Sequence, residues 1–514
     1  MKLCMIGTGY VGLVSGVCFS DLGNTVYCVD KDQKKIDLLN NDNIPIYEPG
    51  LEEILKRNHK QKRLIFTSDL KKAVESSDII FICVGTPTKK NSNSADLKYV
   101  FNVVDELKNI ISKYKISITK STVPVTTGDK IERILIKLKK KKLVDVVSNP
   151  EFLREGEAIR DFSSPDRVII GTDSKKANRL LKSLYMPIIK KNSRYFNTSR
   201  RGAELIKYAS NAFLATKISY INELANLCEK ANVDIKDVSM GMGSDLRIGD
   251  RFLRAGPAYG GSCFPKDTRA LIDTANQFKT DLSIIKSVVR SNDKRKLLLT
   301  NKVDKILNGK LKNKVITFLG VTFKPNTDDM REASSIPMIK YLNTQSAKIK
   351  YYDPSGEKKE FKRLKNVKYC KNIPSACLNS DLVILHTEWN DFKFLNFKKL
   401  VKKSKFKIFD MRNVYSPTKM KNLKIGDTAP RINSVDQNND RITLEQYKGK
   451  KVVLYFYPKD MTPGCTAQSC NLRDNYQSLL DNDYVVLGCS VDSPSRHIKF
   501  IEKYELPFPL ISDE

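Results

Sequence analysis

Short apolar runs alternate with helical patterns through the N-terminal part of the chain. Residues 2–6 (KLCMI) form the first run, an apolar helical pattern follows as far as Leu22, and Thr25 to Val29 form the next run. Runs of this length bounded by helices predict buried strands, and strands alternating with helices predict an α/β fold with a doubly wound parallel sheet. Further predicted strands lie at 79–84, 116–119, 144–147 and 167–171.

The pattern changes twice further along the chain. One helical pattern with few breakers runs from Arg201 to Asn232, and a second α/β region extends from about Lys314 to residue 414. Residues 415–424 carry Ser, Pro and Lys, which indicates a linker. Three more strands are predicted beyond it, in KVVLYFYP, YVVLGCSVD and PFPLISDE. The predicted domains are therefore 1–195, 196–300, 301–415 and 424–514.

Composition narrows the class of protein. The 514 residues, 40% of them hydrophobic, are enough for several cores. No apolar run approaches the roughly 20 residues that span a bilayer, and Met1 to Gly12 leads straight into a strand and a glycine-rich turn. We therefore expect a cytoplasmic protein without a signal peptide or membrane span. The net charge of +32 is spread along the whole chain, mostly as lysine, which favours a solvated basic surface over nucleic-acid binding.

Cysteine and histidine usage points to a reducing compartment. The 11 cysteines are odd in number and lack the spacing of a disulfide framework. Cys4, Cys18, Cys28 and Cys83 lie in apolar stretches, so we expect buried, reduced thiols. The three histidines are not spaced as metal ligands, so no metal site is predicted.

The first glycine-rich turn predicts a dinucleotide site. Gly7, Gly9 and Gly12 follow a predicted strand and open a helix, and Asp30 ends the next strand. The three glycines permit the tight turn, the approach of the pyrophosphate and close helix packing, in that order. The helix N-terminus offers unpaired N–H groups to the phosphates. An acidic residue at position 30 would accept bonds from ribose hydroxyls and repel a 2′-phosphate, so NAD is favoured over NADP.

A second motif predicts chemistry at a cysteine. Cys263 lies in GGSCFPKD, with open backbone before it and charged residues after it, which favours a reactive thiolate. Lys207 and Asn211 are four residues apart and share one face of the long helix. An apolar stripe, expected to be buried, runs along another face of that helix through Leu205, Ala209 and Phe213.

At this point the sequence resembles the UDP-glucose 6-dehydrogenase family. The matching blocks follow one another in the family's order from residue 1 to about 415: GTGYVGL (7–13), YEPGLEEIL (47–55), VGTPT (84–88), STVPV (121–125), NPEFLREGEAIRDF (149–162), PDRVIIG (165–171), EL-KYASNAFLATKISYINE (204–223), RIGDRFLRAGPAYGGSCFPKD (247–267) and FKPNTDDMREASS (323–335). The resemblance implies two Rossmann-like domains joined by the long helix, the first binding NAD and the second UDP. It also implies two oxidations by NAD that convert UDP-glucose to UDP-glucuronate. Dehydrogenases of GDP-mannose and UDP-N-acetylmannosamine are the near alternatives.

The resemblance further implies individual roles. Cys263 would capture the C6 aldehyde as a thiohemiacetal that is oxidised to a thioester, and Lys207 and Asn211 would stabilise the oxyanion. Asp267 and Glu151 would transfer protons and position the hydrolytic water.

Further positions match binding residues of the family. Thr122 would hold a water or the substrate hydroxyl, and Arg247 would reach the substrate of a neighbouring subunit, which implies a homodimer. Expected NAD-binding residues are Gly7, Gly9, Val11, Gly12, Asp30, Lys35, Thr86, Thr122, Lys266 and Arg331. Expected residues for the UDP-sugar are Glu151, Phe152, Leu153, Arg154, Lys207, Asn211, Arg247, Phe252, Leu253, Arg254, Ala255, Gly256, Gly260 and Lys324.

Two positions depart from the family's pattern. Thr126 and Ala258 stand where the family has glycine. Because glycine adopts a positive φ at little cost and other residues do not, local backbone strain is expected at both. Neither change removes a chemical group, so altered kinetics rather than loss of activity is expected.

The C-terminal segment carries a third motif, YPKDMTPGCT. Thr462 suits a helix N-cap and Pro463 the first helical position, which puts Cys465 in the first turn, where the helix dipole favours a thiolate. The segment resembles peroxiredoxins of the bacterioferritin-comigratory type, which implies a partial thioredoxin-like domain with Cys465 as peroxidatic and Cys470 as resolving cysteine. On a regular helix the two thiols are too far apart to bridge. The chain ends soon after the third strand, so we expect an incomplete sheet and doubtful peroxidase activity.

Overall fold

The computed structural model describes residues 1–89, 92–189, 193–415, 428–429 and 432–513. It contains two compact units, Met1–Tyr415 and Ser416–Glu514. Apart from Tyr415, the predicted linker (415–424) lies outside the described residues. Within the described ranges, no helix combines the length and apolar character required to cross a bilayer.

An eight-stranded sheet forms the first layer of the larger unit, in the order β3-β2-β1-β4-β5-β6-β7-β8. All neighbouring strands are parallel except β6 and β7. The predicted doubly wound sheet is confirmed, whereas β3 and β8 were not predicted. The strands are β1 (Lys2–Ile6), β2 (Thr25–Val29), β3 (Leu64–Thr67), β4 (Ile79–Ile82), β5 (Lys115–Thr119), β6 (Val144–Ser148), β7 (Arg167–Gly171) and β8 (Arg194–Thr198).

Helices cover both faces of this sheet and bury two apolar clusters against it. Cys4, Cys18, Cys28 and Cys83 are buried free thiols, as predicted. The helices are α1 (Tyr10–Asp21), α2 (Gln33–Asn40), α3 (Leu51–Lys60), α4 (Leu70–Glu75), α5 (Lys98–Ile110), α6 (Thr127–Ile134), α7 (Ile136–Lys140), α8 (Ala158–Ser163) and α9 (Lys175–Tyr185), followed by a 3₁₀ turn at Met186–Ile188.

The long helix α10 (Arg200–Ala231) begins and ends within one residue of the prediction. The Ser199 hydroxyl accepts from Gly202 N at 3.0 Å at its start, and Asn232 ends it in a left-handed conformation. The predicted burial of its apolar stripe is wrong for the single chain, because Leu205 and Phe213 are 45% and 65% exposed. Three helices pack around α10: α11 (Ile235–Gly243), α12 (Phe264–Gln277) and α13 (Ser283–Ile306).

A second parallel sheet follows, in the order β11-β10-β9-β12-β13. This arrangement matches the expectation of two Rossmann-like sheets joined by a long helix. Its elements are β9 (Val315–Leu319), α14 (Ser335–Thr344), β10 (Lys348–Tyr352), β11 (Val367–Tyr369), α15 (Ile373–Cys377), β12 (Leu382–Leu385), a 3₁₀ turn (Asn390–Phe392), α16 (Phe397–Val401) and β13 (Lys407–Asp410).

The C-terminal unit has its own five-stranded sheet, in the order β15-β14-β18-β17-β16. The three predicted strands are β16 to β18, and the antiparallel pair β14–β15 was missed. The elements are β14 (Asn433–Asp436), β15 (Arg441–Thr443), a 3₁₀ turn (Leu444–Tyr447), β16 (Lys451–Phe456), α17 (Pro463–Asp474), α18 (Tyr476–Asp481), β17 (Tyr484–Ser490), α19 (Pro494–Tyr504) and β18 (Leu510–Ser512).

Candidate active site

The glycine turn after β1 has the shape that a dinucleotide pyrophosphate requires. Gly7 has a φ of +100°, and a Cβ atom on Gly12 would lie 1.9 Å from the Gly7 carbonyl oxygen. A Cβ atom on Gly9 would meet nothing within 4 Å in the described structure, so the space above the start of α1 is open. Val11 follows in the first turn of α1. The N–H groups of this turn can therefore face a bound phosphate.

Asp30 lies just after the end of β2, beside this turn. Its carboxylate accepts from Thr8 N at 2.9 Å, from Thr8 Oγ1 at 2.8 Å and from Lys35 Nζ at 2.8 Å. Burial would raise the pKa of Asp30, but the bonds from Lys35, Asp32 and Thr8 bring it below its usual value. Asp30 is thus an anion placed to accept bonds from ribose hydroxyls, so the turn and this carboxylate fit NAD.

Thr86 and Thr122 lie after β4 and β5, on the same side of the sheet as the glycine turn. Thr86 Oγ1 donates to the Thr122 carbonyl oxygen at 2.8 Å, and both residues are buried. Strand order reverses between β1 and β4, and ligands of doubly wound sheets bind at such a reversal. The two threonines therefore line the expected cofactor crevice.

A buried ion pair lies at the centre of the candidate site. Lys207 Nζ on α10 is 3.0 Å from Glu151 Oε1, and the two side chains are 4% and 6% exposed. Burial raises the pKa of Glu151, but Lys207, the Leu153 N–H and Lys120 together lower it by more, and the net shift is downward. Burial likewise lowers the pKa of Lys207, but Glu151, Cys263 and Asp267 together outweigh burial, and the net shift is upward. Both groups are therefore charged.

A second pair connects α10 to α12. Asn211 Nδ2 donates to Asp267 Oδ2 at 2.6 Å, and the Asp267 side chain is 1% exposed. The ammonium group of Lys266 contacts the other oxygen of Asp267. Lys207 and Asn211, which the sequence placed on one helix face, thus both point toward the start of α12, which follows Cys263 directly.

Cys263 is half-buried, and its thiol is not a ready thiolate. Burial and the negative charge of Glu151 raise its pKa to about 11, whereas Lys207 lowers it. In the free protein, the neighbouring anions and the loss of solvent therefore oppose the predicted thiolate and outweigh the lysine. The thiol needs a base before it can act as a nucleophile.

Glu155 is a member of this cluster to which the sequence reasoning assigned no role. Ser262 Oγ donates to Glu155 Oε1 at 3.3 Å and lies 3.5 Å from Cys263 Sγ. Burial and the charge of Asp329 raise the pKa of Glu155 to about 7, although Arg331 Nη2, 3.2 Å from Glu155 Oε1, opposes this. Glu155 falls within the quoted block NPEFLREGEAIRDF, so the block identified its position, but only the fold brought it to the thiol.

The loop after β6 carries the first group of expected substrate residues. Phe152 packs under Lys207, whose Nζ is 5.1 Å from the ring centroid. Leu153 N donates to Glu151 Oε2 at 2.6 Å. Arg154 is held by Asp161, with Nη2 to Oδ1 at 2.6 Å. The backbone of this loop is thereby fixed beside the Lys207–Glu151 pair.

The second group lies between α11 and α12. Leu253 and Ala255 are buried, Arg254 is exposed, and Phe252 has a φ of 66°. Gly256 N donates to Asn222 Oδ1 at 2.8 Å.

Other residues pack closely against two glycines of this second group. A Cβ atom on Gly256 would lie 2.8 Å from Nη1 of Arg412, a residue that sequence reasoning did not select, and a Cβ atom on Gly260 would lie 2.8 Å from the Glu332 carbonyl oxygen. Burial lowers the pKa of Lys324, which lies near Glu155 and Cys263.

Arg247 stands apart from the cluster within one chain. Its side chain is 89% exposed and pairs with Asp245 at 2.6 Å, and the neighbouring Leu246 is 99% exposed.

The two departures from glycine have the expected backbone strain. Thr126 has a φ of 80° and Ala258 a φ of 138°, a region that favours glycine. Thr126 directly precedes α6, and Ala258 is buried next to Tyr259. The prediction of local strain at these two positions is confirmed.

In the C-terminal unit, Cys465 lies in the first turn of α17, as predicted. Thr462 occupies the N-cap, but its hydroxyl donates to the Lys459 carbonyl oxygen at 3.0 Å rather than capping the helix. Cys465 is buried, Cys470 is half-buried, and both thiols are free.

Models of known protein families match residues in both units. Models of the UDP-glucose/GDP-mannose dehydrogenase family match the NAD-binding domain at residues 1–189, the central domain at 201–294 and the UDP-binding domain at 317–417. A model of the AhpC/TSA family matches residues 425–514.

Individual relatives match over the same part of the chain. A UDP-glucose 6-dehydrogenase of Rhizobium meliloti is 46% identical over 418 residues, 81% of this chain and 96% of that protein. UDP-glucose 6-dehydrogenase TuaD of Bacillus subtilis is 42% identical and covers 82% of this chain and 90% of its own length. Among solved structures, a UDP-glucose dehydrogenase from Pyrobaculum islandicum superposes with a TM-score of 0.75 at 34% identity, covering 81% of this chain and 95% of that one. The chain therefore belongs to the UDP-glucose/GDP-mannose dehydrogenase family.

Proposed function

We propose that this protein oxidises UDP-glucose to UDP-glucuronate with NAD, through a thioester on Cys263. The observation that carries the proposal is the convergence of the Lys207–Glu151 pair and the Asn211–Asp267 pair on Cys263. Relatives with 41–46% identity over most of the chain are named UDP-glucose 6-dehydrogenases, which favours UDP-glucose over GDP-mannose or UDP-N-acetylmannosamine.

The cysteine chemistry follows from the charges around it. When bound, NAD accepts a hydride in each of two oxidations, so one UDP-glucose and one water yield one UDP-glucuronate and two NADH. Between the oxidations, Cys263 Sγ adds to the C6 aldehyde and forms a carbon–sulfur bond. Lys207 and Asn211 donate to the resulting oxyanion. After the second oxidation water attacks the thioester, the carbon–sulfur bond breaks, and the sulfur is released as a thiolate that takes up a proton.

Proton transfer requires a base near the Cys263 thiol. Glu151 is paired with Lys207 and its pKa is low, so it is a weak base. Glu155 reaches the thiol through Ser262 and has a pKa of about 7, which suits a base at neutral pH. We assign Glu155 to deprotonation and water activation, and Asp267 to orienting Asn211. Thr122 would hold the substrate hydroxyl or a water.

Binding residues are proposed on the same basis. The cofactor would contact Gly7, Gly9, Val11, Gly12, Asp30, Lys35, Thr86, Thr122, Lys266 and Arg331. The UDP-sugar would contact the segments 151–154 and 252–256, together with Lys207, Asn211, Gly260 and Lys324. The proposed domains are 1–195 for NAD binding, 196–300 for the central helices, 301–415 for UDP binding and 424–514 for the thioredoxin-like unit.

We also propose a homodimer. Leu205, Phe213, Tyr220 and Leu227 leave an apolar face of α10 between 45% and 65% exposed. Exposed apolar faces of this kind are typical of subunit interfaces, and the exposed Arg247 would then reach the partner's substrate. No disulfide joins the cysteines within the described ranges, which fits a cytoplasmic location.

The product decides the substrate assignment. The protein is incubated with NAD and, separately, with UDP-glucose, GDP-mannose and UDP-N-acetylmannosamine. We expect two NADH per UDP-glucose and no free aldehyde. NADH formation with another sugar nucleotide but not with UDP-glucose would refute the assignment.

Thiol peroxidase activity of the C-terminal unit is a second candidate function. The position of Cys465 in the first turn of α17, within the residues that the AhpC/TSA family model matches, favours it. Peroxide consumption that is lost on Cys465→Ser would support this activity, and equal consumption by both proteins would exclude it.

A further inference from the structure

Glu204 is a buried carboxylate that the proposed chemistry does not use. It lies on α10, one turn before Lys207, and is 3% exposed. Its oxygens accept three hydrogen bonds: from Gly128 N at 2.7 Å, from Thr126 N at 2.9 Å and from Ser148 Oγ at 3.1 Å. Burying a carboxylate without such donors costs free energy, so these hydrogen bonds fix the position of Glu204.

The three donors belong to the two segments that carry catalytic groups opposite α10. Thr126 and Gly128 form the start of α6, four to six residues after Thr122. Ser148 ends β6, three residues before Glu151. One carboxylate therefore joins the segment of Thr122, the segment of Glu151 and the helix of Lys207.

The backbone around Glu204 is adapted to this contact. A Cβ atom on residue 128 would lie 2.9 Å from Glu204 Oε1, so glycine there permits the close approach. Thr126 keeps a φ of 80° while its N–H bonds to Oε2. Strained conformations persist where the surroundings over-determine them, and this bond is one such constraint.

We propose that Glu204 is a positioning residue, which holds Lys207 against Glu151 and beside Cys263 by fixing α10 to the end of β6 and the start of α6. The proposal rests on the proposed function for its catalytic meaning. The placement of Lys207 beside the thiol, however, can be measured without substrate or cofactor.

The charges around Glu204 set the direction of the expected effects. Burial raises the pKa of Glu204 to about 7, against the bonds from Gly128, Ser148 and Thr126. Asp129 is the neighbouring anion at the start of α6, and Arg200 is the neighbouring cation on α10. Asp129 itself pairs with Arg201 at 2.5 Å and with Arg200 at 3.5 Å.

Alkylation of Cys263 by iodoacetamide tests the proposal on the full-length protein. The rate is followed across pH by mass spectrometry of the Cys263 peptide. Lys207 lowers the pKa of this thiol, so a displaced Lys207 moves the alkylation profile to higher pH. For Glu204→Gln we expect a shift of about one pH unit, or about tenfold slower alkylation at a fixed pH.

The sign of the shift separates positioning from simple charge removal. Removing the negative charge of Glu204 would by itself ease ionisation of Cys263 and speed alkylation. Asp129→Asn is the matched control: it removes a nearby negative charge and leaves the three bonds, so unchanged or slightly faster alkylation is expected. Alkylation of Glu204→Gln at or above the wild-type rate would overturn the proposal, whatever happens to its thermal stability.

Turnover supplies a second readout. With UDP-glucose and NAD, Glu204→Gln is expected to lose about tenfold in kcat, with the KM for UDP-glucose within about threefold of wild type. Wild-type kcat in this variant would contradict the proposal. If the wild-type protein does not oxidise UDP-glucose, the proposed function fails, while the alkylation result still decides the role of Glu204.

If Glu204→Gln does not fold, Ser148→Ala is the second variant, because it removes one of the three hydrogen bonds. Slower alkylation of Cys263 is expected in Ser148→Ala, and an unchanged rate would refute the positioning role of Glu204.

Discussion

At the scale of single residues, the thiol of Cys263 is a proton donor and the carboxylate of Glu155 a proton acceptor on either side of Ser262. Burial and Glu151 hold the thiol protonated, with a pKa of about 11. Burial and Asp329 hold the Glu155 carboxyl near the point of titration, with a pKa of about 7. Ser262 lies between the two groups. A proton can therefore pass from sulfur to carboxylate over one hydroxyl.

Glu155→Gln is expected to lower kcat by about 100-fold to 1000-fold, because amides do not accept protons. In the wild-type protein a base with a pKa of about 7 is ionised only above that pH, so kcat/KM is expected to rise through about pH 7. Steady-state kinetics across pH should show this rise of kcat/KM in the wild-type protein and its loss in Glu155→Gln. Glu157→Gln, two residues further on and exposed, is the control. If kcat/KM of Glu155→Gln still rose through about pH 7, the base would be another group.

Cys263→Ser is expected to abolish complete oxidation, because a serine hydroxyl is a weaker nucleophile than a thiolate and a poorer leaving group. The measurement is UDP-glucuronate formed per enzyme with excess NAD. Cys470→Ser in the C-terminal unit should keep full dehydrogenase activity. Double oxidation at the wild-type rate in Cys263→Ser would exclude the covalent route.

At the scale of elements, α10 buries two functional polar residues and leaves part of its apolar surface exposed. Its polar residues Lys207 and Asn211 are buried against β6 and α12, whereas Leu205 and Phe213 face outward. Lys207 is paired with Glu151 and Asn211 donates to Asp267, which is the condition for burying such groups. Helix packing therefore builds the site, and the outward face remains available for another subunit.

The strained residues at the ends of elements give a stability prediction. Thr126→Gly and Ala258→Gly should each stabilise the protein by about 1 kcal/mol, because relief of a positive φ exceeds the added freedom of the unfolded chain. The midpoint of the first thermal unfolding transition measures this change in stability. Ala275→Gly within α12, where φ is negative, should instead destabilise by about 0.5–1 kcal/mol. Lower stability of Thr126→Gly and Ala258→Gly would mean that the contacts of the lost side chains outweigh the backbone strain.

At the scale of the whole molecule, the apolar face of α10 predicts self-association. Phe213→Glu places a charge on the most exposed of its four apolar residues, so sedimentation should shift from dimer to monomer. If Arg247 acts on the partner's substrate, kcat/KM should fall in parallel. Ser287→Glu on α13 is the control for added charge. A dimer that persists in Phe213→Glu would place the interface elsewhere.

The sequence predicted the sheet strands of the larger unit well because parallel strands buried on both faces are continuous apolar runs. It missed β3, β8 and β11, which lie at the edges of their sheets, and β14 and β15, which are short. Edge strands such as β8 are half exposed and have a mixed pattern that single-sequence reasoning does not separate from loops.

The sequence by itself determined the glycine turn with Asp30, the long helix, the order of the family's blocks and the cysteine motif. Each of these depends on residues close together in the chain, where spacing fixes local geometry. Only the tertiary structure decided that Cys263 is protonated, that Glu155 reaches it, and that Glu204 joins three distant segments. These properties depend on burial and on charges more than 50 residues apart in sequence, which local spacing does not encode.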